Sequence, residues 1–260
     1  MYFFFAYRHK GQPGIICYLY ILILHRCMSY LYNLWDDFMS LLFPRICYGC
    51  GNHLLRNENL ICTECYISIP RTGFHHDKDN PVAQLFWGRC MIEKAAAFSY
   101  YTRGSRIRKL IHCLKYKGIK EIGLEIGRIY ANSLRSAGFF SDIDFIVPVP
   151  LHPSKQRRRG FNQSECISFG ISEVSGLPVI LKSLKRITVS DTQTRRSRFE
   201  RWMNVEGIFH VADSEVFRDK HILLVDDVIT TGSTIESCAS ELLKIKGVRV
   251  SVVALAVAVM

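Results

Sequence analysis

The chain has 260 residues, 48% of them hydrophobic and 22% charged, with a formal net charge of +11. That balance excludes an intrinsically disordered chain and leaves room for one α/β domain plus a small module. Ten cysteines behind no convincing export signal exclude a disulfide-built scaffold and point to a reducing compartment, a cytoplasmic one, and to metal ligation.

Residues 1–27 contain an apolar run, Ile15 to Leu24, too short to span a bilayer. Arg8 and Lys10 precede it as in a signal peptide, yet His25-Arg26-Cys27-Met28 follows where a small-residue cleavage site belongs. An upstream extension before a start at Met28 is the expectation, with a weak membrane-surface helix as its rival. Residues 28–44 predict a short amphipathic helix through Leu31, Leu34, Phe38, Leu41 and Leu42, packed on the domain without stable membrane insertion.

Residues 45–70 carry Cys47-Tyr-Gly-Cys50 and Cys62-Thr-Glu-Cys65, two Cys-x-x-Cys pairs separated by eleven residues. Each pair can place two thiolates on one ion, and together they complete a tetrahedral shell. A closed, structural Zn2+ site in a zinc-ribbon-like module is expected, with an Fe–S cluster as the alternative. A redox dithiol needs only one pair. Residues 71–93 read as a polar linker in which His75 and His76 are solvated, since adjacent residues rarely share a metal.

Residues 94–260 alternate strand and helix, the pattern of an α/β domain with a mostly parallel sheet. Strands are predicted at Ala95–Tyr100, Phe145–Val149 and Val250–Val257. Ile107, Leu110, Ile111 and Leu114 mark a helix stopping before Gly118. Further helices are expected at Ile122–Ser136 and, capped by Asn162, at Asn162–Val174.

Between Leu151 and Asn204 stand eleven Lys/Arg against four Asp/Glu. Lys155, Arg157, Arg158 and Arg159 are expected in a turn at the sheet's carboxyl edge, where α/β ligands bind. Arginine forks there suit a pyrophosphate, or the backbone of a nucleic acid. Gln193, Thr194 and Arg201 fall in a segment without period, read as a flap that closes over a reactive sugar.

The most informative run is Ile222 to Thr234. Ile222–Val225 predicts a short buried strand, with Asp226 and Asp227 at its carboxyl end. Thr230, Thr231, Gly232, Ser233 and Thr234 form a hydroxyl-rich turn before a helix starting near Ile235. Free N–H groups at a helix N-terminus suit a phosphate. The carboxylates can accept from sugar hydroxyls or hold hydrated Mg2+. Together they describe a sugar-phosphate site, and the lack of a Gly-Lys-Ser/Thr sequence disfavours an ATPase loop.

This run resembles the PRPP-binding motif of type I phosphoribosyltransferases. The resemblance implies that Asp226 and Asp227 face the ribose and that Thr230 to Thr234 wrap its 5'-phosphate. With the cysteine pairs, Leu114-Lys-Tyr-Lys-Gly118, Pro148-Val-Pro-Leu-His152, Arg159-Gly-Phe-Asn-Gln163, Gln193-Thr194 and Arg201 with Asn204, the chain resembles the ComF family across most of residues 45–260. The family implies a four-cysteine module before a phosphoribosyltransferase-type domain and a link to competence. Two readings follow: an enzyme displacing pyrophosphate from PRPP with Mg2+, or a non-catalytic module binding single-stranded DNA or DNA-uptake proteins.

Overall fold

The computed structural model describes residues 23–26, 28, 30–31, 34–35, 38–39, 42–186 and 208–258. Two compact units divide at Ile46 and Cys47. In the first, the described residues between 23 and 42 are helical, so the helix begins before the expected residue 28. Leu31, Leu34, Trp35, Phe38 and Leu42 are all exposed. Among the described residues no helix is long and apolar enough to cross a membrane.

The second unit is built on a four-stranded, all-parallel sheet. Its strands are β1 (Ala95–Tyr100), β2 (Phe145–Pro148), β5 (His221–Ile229) and β6 (Arg249–Val257), in the order β1-β6-β5-β2. Two short strands, β3 (Leu184–Arg186) and β4 (Phe209–Val211), form a separate antiparallel ribbon. The helices are α1 (Thr63–Ile67), α2 (Pro81–Gln84), α3 (Arg106–His112), α4 (Lys120–Ser136), α5 (Pro153–Arg159), α6 (Gln163–Ser175) and α7 (Ser233–Leu243). A π-turn, Cys113–Lys117, prolongs α3 to Gly118.

Strand alternation divides the core in two. Leu223, Val225, Val253 and Leu255 pack with Ile107 and Leu110 of α3, Ile126 and Tyr130 of α4, and Ile167 of α6. Ile222, Leu224, Val250 and Val252 pack on the other face with Ile235, Ala239 and Leu242 of α7. Covering both faces explains why these strands read as continuous apolar runs. Cys47, Cys62 and Cys65 belong to the first core, so the cysteine module shares its packing with the domain.

Residues 71–93, expected to be a polar linker, are built into the domain. Thr72 N–H donates to Phe98 O at 3.1 Å, and Tyr100 N–H donates to Pro70 O at 3.0 Å. Asn80 is buried and donates to the carbonyls of Phe74, Asp77 and Ala95, while its Oδ1 caps α2. Val82 and Phe86 enter the second core.

At the amino edge of the sheet His221 is fully buried, its Nδ1 3.0 Å from Asp142 O and its Nε2 2.8 Å from Ser251 Oγ. Buried far from the strands' carboxyl ends, the group joins strand starts and exposes no nucleophile.

Helices α4 and α6 meet through glycines. A Cβ on Gly170 would lie 2.1 Å from Leu124 O, and one on Gly127 would lie 2.6 Å from Ile167 O. Backbone cannot yield as a flexible side chain can, so the helices must separate to admit a methyl group. Gly170→Ala is therefore expected to cost ~1–3 kcal/mol despite alanine's better helix propensity. Urea unfolding should show a lower midpoint at unchanged slope; an unchanged midpoint contradicts the close approach.

Candidate functional site

The expected acidic pair lies inside β5, not beyond it. Pairing with β6 continues through Asp226↔Ala254, Val228↔Ala256 and Ile229↔Val257, so the strand persists four residues past Val225. Successive side chains in a strand point to opposite faces. The two carboxylates find different partners. Asp227 Oδ1 pairs with Lys115 Nζ of the π-turn at 2.8 Å. Asp226 Oδ1 accepts from Ser164 Oγ at 3.2 Å and from Asp227 N–H at 2.8 Å.

Burial, and then the adjacent charge of Asp227, raise the Asp226 carboxyl from the ordinary 3.8 to about 7. Lys115 and the hydrogen bond from Ser164 oppose that rise without cancelling it. A second positive charge brought between the carboxylates would favour ionisation of both, which is the electrostatic condition for holding a divalent cation.

After β5 the chain turns through Thr230–Gly232 into α7, which starts at Ser233, two residues before the expected point. Gly232 takes φ +78° at the N-cap, a left-handed conformation that favours glycine, and a Cβ there would approach Phe86 Cε1 at 3.0 Å. Thr230, Thr231, Ser233 and Thr234 are exposed. Thr231 Oγ1 lies 3.0 Å from Ser233 Oγ. Among the described residues no protein group accepts from the N–H of Thr231, Gly232 or Thr234, and Ser233 N–H reaches Thr231 Oγ1 at 3.5 Å. The helix dipole adds partial positive charge at the same point, so the loop can receive an anion.

Sequence reasoning missed the brace of this loop. Arg89 donates to Thr231 O at 2.9 Å and to Leu85 O at 3.0 Å, and it pairs with Glu236 of α7. Lys115 and Ser164 were also absent from the expected site, though Lys115 sits in the Leu114–Gly118 run and Ser164 directly follows the Arg159–Gln163 run. Nothing local distinguishes Arg89, whose contacts span more than a hundred residues.

The basic run is a helix, not the expected turn. His152 Nδ1 caps α5 by accepting from Ser154 N–H at 3.3 Å, and Gly160 ends the helix at φ 77°. Helical spacing places Lys155, Arg158 and Arg159 on one stripe and Arg157 on the opposite side. Lys155, Arg157 and Arg158 are exposed, whereas Arg159 turns inward with Cζ 5.3 Å from the Tyr116 ring centroid. The buried Arg159 Nε and Gln163 Nε2 have no acceptor among the described residues. Helix α5 follows β2, beside β5, and Val149 N–H donates to Val225 O at 2.9 Å. The helix therefore departs from the carboxyl edge that carries Asp226. Gln193, Thr194 and Arg201 of the expected flap lie outside the described residues, between β3 and β4.

The second constellation is the cysteine module. The four sulfurs of Cys47, Cys50, Cys62 and Cys65 lie within 4.8 Å of one another, and Cys50 Sγ is 3.7 Å from Cys62 Sγ. A tetrahedral four-sulfur site with arms of ~2.3 Å has edges of ~3.8 Å, so the spacing suits one ion. Backbone N–H groups aim at the sulfurs: Gly49 and Cys62 at Cys47 Sγ (3.3 and 3.2 Å), Asn52 at Cys50 Sγ (3.4 Å), Cys65 at Cys62 Sγ (3.4 Å). Such donors stabilise thiolate, the ligating form. Glu58 ties the intervening loop to α1 by accepting from Leu55 N–H and from both Thr63 N–H and Oγ1. Cys113, Cys166 and Cys238 are buried in the apolar cores and join no metal-ligand group among the described residues.

Residues 156–259 match the phosphoribosyl transferase domain family. The chain is 29% identical over 209 residues to Competence protein F of Haemophilus influenzae, covering 76% of this chain and 91% of that protein. It is 29% identical over 213 residues to the DNA utilization protein YhgH of Salmonella typhimurium, covering 77% and 92%. Competence protein ComFC of Bacillus subtilis is 26% identical over 209 residues, covering 80% and 81%. With relatives named for competence along most of its length, a phosphoribosyl transferase domain match and a four-cysteine cluster, the chain is similar to competence proteins of the ComF type.

Proposed function

We propose that the protein binds PRPP with Mg2+ at the carboxyl edge of the sheet and displaces pyrophosphate from its C1 with a base or amine acceptor. The observation that carries this reading is the anion-ready loop Thr230–Thr234 next to the carboxylates of Asp226 and Asp227. Loop amides and hydroxyls hold the 5'-phosphate, and the carboxylates face the ribose hydroxyls. Bound Mg2+ would be held by Asp226 and Asp227 and would supply charge neutralisation for the pyrophosphate. Lys155, Arg158 and Arg159, with Arg157, attract the leaving pyrophosphate, and Gln193, Thr194 and Arg201 close over it. A ribosyl cation develops as the bond to pyrophosphate breaks, so catalysis rests on placement and fixed charge, without covalent attack. Arg89 is a positioning residue that fixes the loop carbonyl of Thr231 and one end of α7.

Zn2+ in the Cys47, Cys50, Cys62 and Cys65 site is structural, because protein sulfur fills all four positions. We place the activity in the handling of imported DNA, in line with relatives named for competence and DNA utilization. The cytoplasm suits both PRPP, an intracellular metabolite, and free thiols. A second reading is a binding module without turnover, engaging single-stranded DNA or uptake proteins. It is favoured by the basic surface of α3, where exposed Arg108 and Lys109 have no carboxylate partner among the described residues.

Three outcomes test these assignments. PRPP titrated calorimetrically should bind only with Mg2+, and Asp226→Asn/Asp227→Asn should abolish that heat. Pyrophosphate release on adding candidate acceptors then separates turnover from binding. Asp226 holds its proton more tightly folded than unfolded, so it lowers stability as pH rises from 3.8 to about 7. Asp226→Asn alone should therefore raise the Tm at pH 8 while PRPP binding is lost; a lower Tm contradicts the burial of a strained charge.

Arg89→Met should weaken PRPP binding about tenfold, ~1.4 kcal/mol, while circular dichroism is unchanged. Unaltered affinity removes the positioning role. For the module, metal analysis should give a single zinc per chain, and Cys62→Ser should release it and lower the Tm. A zinc-free wild-type protein of equal stability excludes the structural site.

A further inference from the structure

We propose that the groove between the first cysteine turn and helix α3 binds a nucleotide. Its phosphate rests on the α3 cations and its base lies against Tyr48 and His112. The inference stands apart from the sugar-phosphate reading, since it concerns a different concavity. The cavity has a volume of about 470 Å³ and is lined by Tyr48, Arg108, Lys109, His112, Cys113 and Lys117. That size accommodates a single nucleotide, within the ~300–1,000 Å³ range of small-molecule sites.

Charge identifies the ligand class. The stretch from Arg103 to Lys120 contains seven Lys/Arg and no Asp/Glu. Among the described residues only Lys115 of these has a carboxylate partner, Asp227. Elsewhere on the surface Arg128 and Arg218 are neutralised by neighbouring glutamates. Arg108 and Lys109 are exposed and adjacent to half-buried Tyr48, so cations and a ring face the same concavity. An acidic protein segment would satisfy the charges alone. Planar groups beside them favour a ligand that combines phosphate with an aromatic face. The His112 ring lies 4.8 Å from that of Tyr116, extending the planar surface along the helix.

A nucleotide can arrive free or as one unit of a single strand. The test uses the full-length zinc-loaded protein. Thymidine monophosphate is titrated by calorimetry, and a fluorescent oligothymidylate of about 12 nucleotides by anisotropy at low salt. Binding of both probes identifies a free-nucleotide site; binding of the oligothymidylate alone identifies a strand site. Arg108→Glu/Lys109→Glu should weaken the bound probe at least ~10-fold and reduce its salt dependence, with Mg2+-dependent PRPP binding retained.

Unchanged affinity in that variant, no binding of either probe by the wild type, or stronger binding of polyglutamate than of oligothymidylate overturns the proposal. A bromodeoxyuridine-substituted oligonucleotide photo-crosslinked to the unmutated protein gives a readout independent of variant folding. Crosslinks at Tyr48 or His112 support the groove, and crosslinks confined to other surfaces sink it. Loss of PRPP binding with crosslinking intact would count only against the sugar-phosphate reading.

Discussion

Two adjacent carboxylates in a strand that is buried on both faces form the constraint around which the domain is organised. A central parallel strand tolerates charge only near its end, where partners and solvent can reach it. Asp227 pairs with Lys115 and Asp226 accepts from Ser164, so each acid is satisfied by a different helical element. Asp227 lies beside the Lys115 ammonium, while burial drives Asp226 toward protonation. The result is an acidic pair in which further positive charge placed between the two would favour ionisation of the buried one.

The Thr230–Thr234 loop depends on the same strand, because it begins where β5 leaves the sheet. Its shape is held from behind by Phe86 against Gly232 and by Arg89 across Thr231 O and Glu236. Those braces come from residues 71–93, which also run along β1 and are anchored by Asn80. A continuous set of packed and hydrogen-bonded contacts therefore joins the end of the cysteine module to the loop. The cysteines themselves share an apolar core with α3, α4 and α6. The four-cysteine cluster and the sheet are thus parts of one packed unit.

Local chemistry made much of this legible. The β1 limits, the stop at Gly118 and the Asn162 cap follow from period and capping residues, and the structure places each where the pattern required. The β5 end was misplaced because aspartate has poor strand propensity, whereas ladder pairing with β6 overrides propensity. Lys155–Arg159 looked like a turn because it lacks an apolar stripe. A short helix with two glycine- or histidine-capped ends needs none when most of its surface is solvated. The apparent linker was judged by its polar residues, although Val82 and Phe86 carry its packing.

Residue type and spacing alone made the candidate ligand groups legible: four sulfurs in two pairs, neighbouring carboxylates, and a glycine-bearing hydroxyl loop. These are local because short-range backbone geometry sets which atoms can converge on one ion or phosphate. Only the tertiary structure decided which carboxylate is pushed toward protonation, which arginine braces the loop, and that α3 faces the cysteine turn across a cavity. Those outcomes depend on burial and on contacts between distant segments, such as Lys115 with Asp227 and Arg89 with Thr231, which no local pattern encodes.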